Sequence, residues 1–562
     1  MDLNTVIFIF AAALCFSVLI AKHESFNGFS ISIKDKTYYT LVFVLFFIAC
    51  FVRVYKFGSV PAGFNQDGAM AAVDAKALAD YGTDRFGMSY PVHFTAWGYG
   101  QMSVLLSYLM IPFIKLFGLN AITARLPMLM ASLAGIYVLF KFLERIYGRK
   151  AAAAVLFIAA INPWHIMQSR WALDCNLLPH FLLFSLYFLH LGLEKRKYLF
   201  ISMVFFALTM YTYGIAFYSI PLILIALCVY LLVKKLVPLR DIIICAGIYL
   251  LIAWPIFAVM VINYFRLDTL SIGKITIPFF PDSIRVNDIL FFSDNFFQRL
   301  IMNFNTVVNV VFLQKEYLPW NTIAKYGSLY LMSLPFAVIG IFFICARLKQ
   351  SAVNGHTGSG GVFLLIWFSA SIVSGLITND VNVNRINIIF YPMIIFTGCG
   401  LYYVLSQLAD RRAVSVAVIA LYLLSFVGFN HTYFGEHNRV LANYFYEGFG
   451  EAVKYAQKKE PDRIKITTYT QSRNSAHVSE ILTLFHGDID ALYFQGKTVS
   501  FDSKGNMIAP YSIRYQYLSF SNAVTPEPGT VYVININEIS LFDTNQFEIN
   551  TFGGYAVAIP KH

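Results

Sequence analysis

Charge is what this 562-residue chain has least of: 13% of its residues are charged against 58% hydrophobic, and the mean hydropathy is +0.62. So little charge cannot coat a water-exposed globule, which excludes an ordinary soluble enzyme. Cysteine is sparse as well. The seven, Cys15, Cys50, Cys175, Cys228, Cys245, Cys345 and Cys399, all lie in or beside apolar runs, and none follows residue 399. That placement excludes a disulfide framework and a zinc-ligand spacing. The region after residue 430 also lacks a glycine-rich phosphate loop, a nucleophile elbow and a His/Cys cluster, and no nucleotide fold is evident in the chain. The first apolar stretch has only Asp2 ahead of it and no small-residue cleavage site, and reads as a retained span rather than a signal peptide.

What is abundant is apolar runs of the length that crosses ~30 Å of hydrocarbon. They fall near 3–21, 38–57, 122–143, 150–163, 176–193, 199–213, 215–233, 240–262, 327–347, 361–378, 385–405 and 412–429. The fold class this predicts is a polytopic α-helical membrane protein with about twelve spans. Alternate connections collect Lys and Arg: Lys34/Lys36, Arg145/Arg149/Lys150, Lys195/Arg196/Lys197, Lys234/Lys235/Arg240, Arg347/Lys349 and Arg411/Arg412. By the positive-inside rule these face the cytoplasm. Residues 58–121, 164–175, 263–326, 379–384 and everything after about 430 then face outward from the cytoplasmic membrane. Val104–Phe117 is apolar, but counting it as a span would invert every later loop, so it reads as an interfacial helix. The sequence pI of about 9.1 needs no nucleic acid, because the basic residues are this orientation signal.

Beyond residue 430 hydropathy falls and the periodicity changes. Residues 430–562 carry 11 Lys/Arg against 13 Asp/Glu. Asn443–Lys459 reads as an amphipathic helix, Arg463–Thr470 and Thr530–Asn537 as half-buried strands, and Ser479–Phe485 as a helix between them; Tyr511–Phe520 and Tyr555–Ile559 could add strands. The chain thus divides into a membrane domain, 1–429, and a small extracytoplasmic α/β domain, 430–562, with an accessory or acceptor-docking role. Ser351–Gly361 is a Gly/Ser-rich cytoplasmic linker.

In a protein that avoids charge, acids at a membrane face are candidates for work. Asn65-Gln66-Asp67-Gly68 follows a span broken at Pro61–Gly63 and precedes an alanine-rich helical stretch. Asp67 suits an N-cap, a general base, or both, since capping would fix its position. Asp74, two helical turns on, and Asp84 continue the acidic cluster. His93, Trp97, Tyr99 and Gln101 follow in the same loop, where the aromatics suit either interfacial anchoring or a wall for a flat ligand. Arg125 at the start of a span, Arg170 beside His165 and Asp174, and Arg385 among Asn379, Asn384 and Asn387 are three outer arginines. Such an arginine snorkels to headgroups or binds a phosphate through its planar fork, and Arg170 could pair with Asp174. His165 alone reads as a hydrogen-bonded structural residue or a base.

The order of these motifs resembles the membrane glycosyltransferases of family 39, in the GT-C superfamily, which include protein O-mannosyltransferases and transferases that add aminoarabinose to lipid A. The residues carrying the likeness are Pro61 to Asp67, Leu116 to Asn120 leading to Arg125-Leu126-Pro127, Ile161 to His165 with Ser169-Arg170, and Asn384 to Asn387. The resemblance implies an inverting transferase that takes sugar from a polyprenyl-phosphate donor to a hydroxyl of a glycan, lipid or protein. Asp67 would be the general base or the organiser of the acceptor hydroxyl, and Arg125 the phosphate-binding or site-ordering arginine, with Arg170 or Arg385 also able to meet the donor phosphate. His93, Trp97, Tyr99, Gln101 and His165 would line the sugar and acceptor site. Metal dependence varies across the superfamily, so a divalent cation stays open and no other cofactor is implied. One departure matters: the family has Asp followed by Glu, whereas Gly68 stands here. Either Asp67 works alone or Asp74 or Asp84 supplies the second carboxylate.

Two other classes compete. A lipid-sugar flippase or transporter would place polar residues mid-span in pseudo-symmetric halves, and here charge collects at the outer boundaries with no repeat. A non-catalytic scaffold of the cell envelope is compatible with the missing Glu.

Overall fold

In a computed structural model that describes residues 3–21, 34–97, 100–281, 295–351, 358–470 and 473–561, the chain is a helical bundle capped at one end by an α/β domain. Tyr99 and most of the Gly/Ser linker lie outside the described residues. Helices α1 (Leu3–Ala21) and α2 (Asp35–Val54) are followed by the loop that carries α3 (Gln66–Tyr81), the hairpin β1–β2 (Phe94–Thr95, Gln101–Met102) and α4 (Leu105–Phe117). Then come α5 (Ala121–Ile161), α6 (Pro163–Gln168), α7 (Leu177–Gly192), α8 (Lys197–Thr209), α9 (Ala216–Val233) and α10 (Leu239–Phe265). A hairpin β3–β4 (Leu270–Ile272, Ile275–Ile277) and α11 (Phe296–Val307) precede α12 (Ser333–Ser351), α13 (Ser359–Ile377), α14 (Phe390–Gln407) and α15 (Arg412–Phe434).

Among the described residues eight helices are long and apolar enough to cross a bilayer. The expected spans 122–143 and 150–163 are two helices that meet at Gly148, whose φ 80° and ψ 173° are not helical; they share the label α5. Helices α1, α8 and α12 occupy three further expected spans. Helices α4 and α8 have 13 residues each, or ~20 Å, and are both shorter than a full span. Helices α12 and α14 pack backbone to backbone: a Cβ on Gly340 would lie 1.8 Å from Phe396 O, and one on Gly400 1.8 Å from Phe336 O. Small residues of this kind let membrane helices approach closely.

Contacts sort the connections to two ends of the bundle. At one end Arg149 pairs with Asp35, Arg145 with Glu194 and Arg196 with Asp241. At the other, hereafter the loop face, Asn162 bonds Ser328 O, Asn387 bonds Cys175 O and Arg170 bonds Val60 O.

The C-terminal domain begins with α16 (Glu436–Tyr444) and α17 (Phe449–Lys458), two helices where one was expected. Strand β5 (Arg463–Thr467), the small hairpins β6–β7 (Tyr469–Thr470, Arg473–Asn474) and β8–β9 (Ser500–Phe501, Met507–Ile508), α18 (Ala476–His486), β10 (Tyr515–Leu518), β11 (Thr530–Asn535), β12 (Phe547–Phe552) and β13 (Tyr555–Pro560) complete it. One five-stranded sheet results, ordered β10-β5-β11-β13-β12, parallel through β5–β11 and antiparallel beyond. Expected strand 511–520 starts at Tyr515, after a helical turn. β12 was not expected; it is an edge strand whose Glu548, Asn550 and Thr551 read as loop. The sheet and α17 and α18 share one apolar core with α3 and α4, through Phe64, Met70, Met110, Phe449 and Phe485.

Candidate active site

Asn65, not Asp67, caps α3: it is extended (φ −80°, ψ 158°) and its side chain accepts from Gly68 N. Asp67 therefore sits inside the first turn, where the positive end of the helix dipole favours a carboxylate. The helix ends at Gly82 in the left-handed region (φ 71°), whose amide closes on Leu78 O. Asp67 is half-buried, and the Trp97 indole donates to its Oδ1 at 2.5 Å.

Gly68 is fixed by packing. A Cβ there would come 2.8 Å from Ala172 O and 2.8 Å from Asn65 Oδ1. The space that a Glu at 68 would need, the residue the resemblance implies, is thus filled by the backbone that follows Arg170. Asp67 also lies near enough to Cys175 to act on it electrostatically.

The other two acids are engaged locally. Asp74, fully buried, accepts from Arg85 N at 3.0 Å and from Arg85 Nη1 at 2.5 Å. Burial pushes its carboxyl up to about 7, while Arg85 pulls the other way. The remaining fork of Arg85 donates to Thr95 O, so this ion pair anchors the hairpin that delivers Trp97. Asp84 accepts from Phe86 N and Met88 N and shapes the turn after α3; its carboxyl is also raised by burial. Gln101 lies buried on β2 opposite Thr95, and His93 lies buried between the Phe217 and Phe280 rings, 6.1 Å from each. Tyr99 is outside the described residues.

Two of the three arginines hold backbone. Arg125, at the start of α5 beyond the Asn120 capping box, donates to Gly58 O (3.0 Å), Pro61 O (3.1 Å) and Gly63 O (2.7 Å) and lies over the Phe64 ring. Arg170, after α6, donates to Val52 O, Arg53 O, Tyr55 O and Val60 O at 2.7–3.0 Å. Both are buried, and together they tie down the chain from the end of α2 to the start of α3. Arg385 differs: it is partly exposed, bonds Asn379 O and lies 3.8 Å from Asp380 Oδ2. Its turn reaches the Asp67 side of the site through Asn387, whose amide donates to Cys175 O at 2.6 Å.

His165 is buried beneath, on α6, which Asn162 caps and Pro163 opens. Its Nδ1 faces Arg53 (3.1 Å) and its Nε2 faces the Tyr391 hydroxyl (2.9 Å), which also meets His180 Nδ1 (2.8 Å). Sequence reasoning missed Arg53, Tyr391 and His180. Arg53 left the one usable sign, a charge inside an apolar span. Among the described residues no cluster of three or more His, Cys, Asp or Glu could hold a metal ion.

Residues 102–262 match the sequence family described as dolichyl-phosphate-mannose-protein mannosyltransferase. The match takes in Arg125, His165 and Arg170 and begins after Asp67. The structure aligns with ArnT from Cupriavidus metallidurans bound to undecaprenyl phosphate over 93% of this chain and 97% of that one, at 15% identity and a TM-score of 0.51. The chain has the GT-C fold. An oligosaccharyltransferase of Archaeoglobus fulgidus tethered to an acceptor peptide aligns at a TM-score of 0.50 and 13% identity, over 81% of this chain and 63% of its own length. No curated protein matches by sequence. The resemblance to family 39 read from the motifs thus holds in fold and in the mannosyltransferase-like segment.

Proposed function

We propose that this GT-C protein transfers a sugar from a polyprenyl-phosphate donor to an acceptor hydroxyl at the outer face of the cytoplasmic membrane, with Asp67 as base. The observation that carries the reading is the placement of Asp67: a half-exposed carboxylate on the first turn of α3, held by Trp97, at the loop face of a GT-C bundle. The basic connections gather at the end opposite that face, which supports an outward loop face.

In the reaction, Asp67 takes the proton of the acceptor hydroxyl as its oxygen attacks the anomeric carbon. The bond from that carbon to the lipid phosphate breaks, with inversion and oxocarbenium character. The leaving phosphate gains charge, which Arg385, the partly exposed one of the three arginines, stabilises more in the transition state than before it. Arg125 and Arg170 order the loop on which Asp67 stands. Asp67 acts without a partner at 68, and Asp74 and Asp84 hold the surrounding loop. His93 and Gln101 are buried and pack the loop behind the site, leaving Trp97 as the aromatic beside Asp67. An apolar cavity of about 380 Å³ between α7, α8, α9 and α10, lined by Leu199, Met203, Leu227, Ile242 and Phe257, has the chemistry to take an isoprenoid tail. The sequence carries no recognisable nucleotide-binding motif, and the expected source of the donor is a separate enzyme that charges the lipid.

The test compares envelope glycans from cells with the wild-type protein, no protein, and Asp67→Asn. A sugar missing from both the deletion and the point mutant, at normal protein level, supports the reading and identifies the product. A glycan lost only in the deletion favours the scaffold or flippase.

A further inference from the structure

The helix expected over 443–459 is broken by the turn 445–448, where Tyr446 has φ +56° and Gly448 φ +89°. A tyrosine in the left-handed region costs about 1–2 kcal/mol and persists only where its surroundings over-determine it. Here they do so through the loop that leads into Asp67. Phe64 N donates to Phe445 O at 2.6 Å, and Ala62 N donates to Asn438 Oδ1 of α16 at 2.7 Å. Gly63, at φ +75°, has no room for a side chain: a Cβ would lie 2.1 Å from Phe445 O and 2.9 Å from Glu447 N. The Phe64 ring stacks on Phe485 of α18 at 4.4 Å and 6°. The buried Tyr446 donates its hydroxyl to Gln66 Oε1 at 3.2 Å, one residue before Asp67. Arg125 holds the same loop from the membrane side.

We propose that the turn 445–448 is a clamp on the Asp67 loop, and that Tyr446 is a positioning residue acting through Gln66. The C-terminal domain is then a working part of the active site and not only a docking module. This rests on the reading of Asp67 as base, because even a small displacement of a base slows proton transfer steeply.

The experiment measures, per molecule of full-length protein in membranes, the initial rate at which the sugar abolished by Asp67→Asn enters the envelope. Tyr446→Phe slows it about fivefold, the effect of one hydrogen bond. In a Gln66→Ala background Tyr446→Phe costs nothing further. In Gln66→Glu, which keeps an acceptor for the hydroxyl, it again costs rate. A purely structural tyrosine would cost the same in all three backgrounds, and that result, or an unchanged rate for Tyr446→Phe alone, overturns the clamp. If Asp67→Asn leaves the envelope intact, the transferase reading is what fails. Amide exchange in the purified full-length chain then decides the clamp separately: Tyr446→Phe should speed exchange across 64–69 and leave α7 unchanged, and equal protection in both proteins would overturn it.

Discussion

The Trp97 indole N–H meets Asp67 Oδ1 at 2.5 Å, so a ring thirty residues along the chain serves the acid directly. Trp97→Phe keeps an aromatic ring and removes the donor. A hydrogen bond to a charged group contributes ~1.5–3 kcal/mol, so transfer should slow about tenfold or more at unchanged protein level. The check is the initial rate of incorporation of the Asp67-dependent sugar. An unchanged rate would mean that the bond plays no part in the reaction.

Restoring the family's acid should not help this chain. Gly68→Glu places a Cβ 2.8 Å from Ala172 O, a backbone atom that cannot swing aside. Overpacking of this kind costs about 1–3 kcal/mol. The expected outcome is less protein in the membrane and a weaker transfer activity, and even Gly68→Ala should show the loss. A Gly68→Glu variant at full level with faster transfer would show that the site does have room for a second acid.

Much of this was legible in the sequence because it depended on local pattern. Apolar run length and the Lys/Arg alternation locate the helices, and the non-helical Gly148 separates the two expected spans that run through α5. Asp67, Arg125 and Arg170 could be named because an ionisable residue at a membrane boundary stands out. What the two arginines touch could not be read, because their partners are carbonyls more than 60 residues away, and carbonyls look alike in any sequence. The break at 445–448 was hidden for a similar reason: Tyr446 adopts φ +56° under contacts from residues 63–66, nearly 400 positions earlier.

The proton order in the buried chain Arg53–His165–Tyr391–His180 follows from donor inventory. Arginine only donates, so His165 Nδ1 accepts, its Nε2–H donates to Tyr391, and the tyrosine donates to His180 Nδ1. Tyr391→Phe leaves two ring nitrogens without that hydroxyl, a loss of about 1–3 kcal/mol for each. The purified protein should melt several degrees lower. Gly135→Ala should be at least as harmful, because a Cβ there would lie 2.3 Å from the Tyr391 hydroxyl. A melting temperature unchanged in both variants would remove the network from the account of stability.

Asp74 tests whether the acids after Asp67 are structural or chemical. It is fully buried against Arg85, and deleting one partner strands a buried charge at about 3–5 kcal/mol. Asp74→Asn should therefore lower the melting temperature sharply. The double variant Asp74→Leu with Arg85→Met should recover much of it and some transfer. Transfer abolished in the double variant at a restored melting temperature would instead make Asp74 a participant in the reaction.

The arginines separate by the same logic, and they bear most directly on the donor phosphate. The Arg125 fork spans three carbonyls, Gly58, Pro61 and Gly63, which a lysine ammonium cannot cover together. Arg125→Lys should lower the melting temperature and the transfer rate in parallel. Arg385 is partly exposed and bonds within its own turn, so Arg385→Gln should leave the melting temperature nearly unchanged and still cut transfer about tenfold or more, the effect of one charge-assisted contact to the leaving phosphate. If instead Arg385→Gln transfers normally, while Arg125→Lys melts normally and fails to transfer, the phosphate belongs with Arg125, and the carbonyls it holds here must release it when the donor arrives.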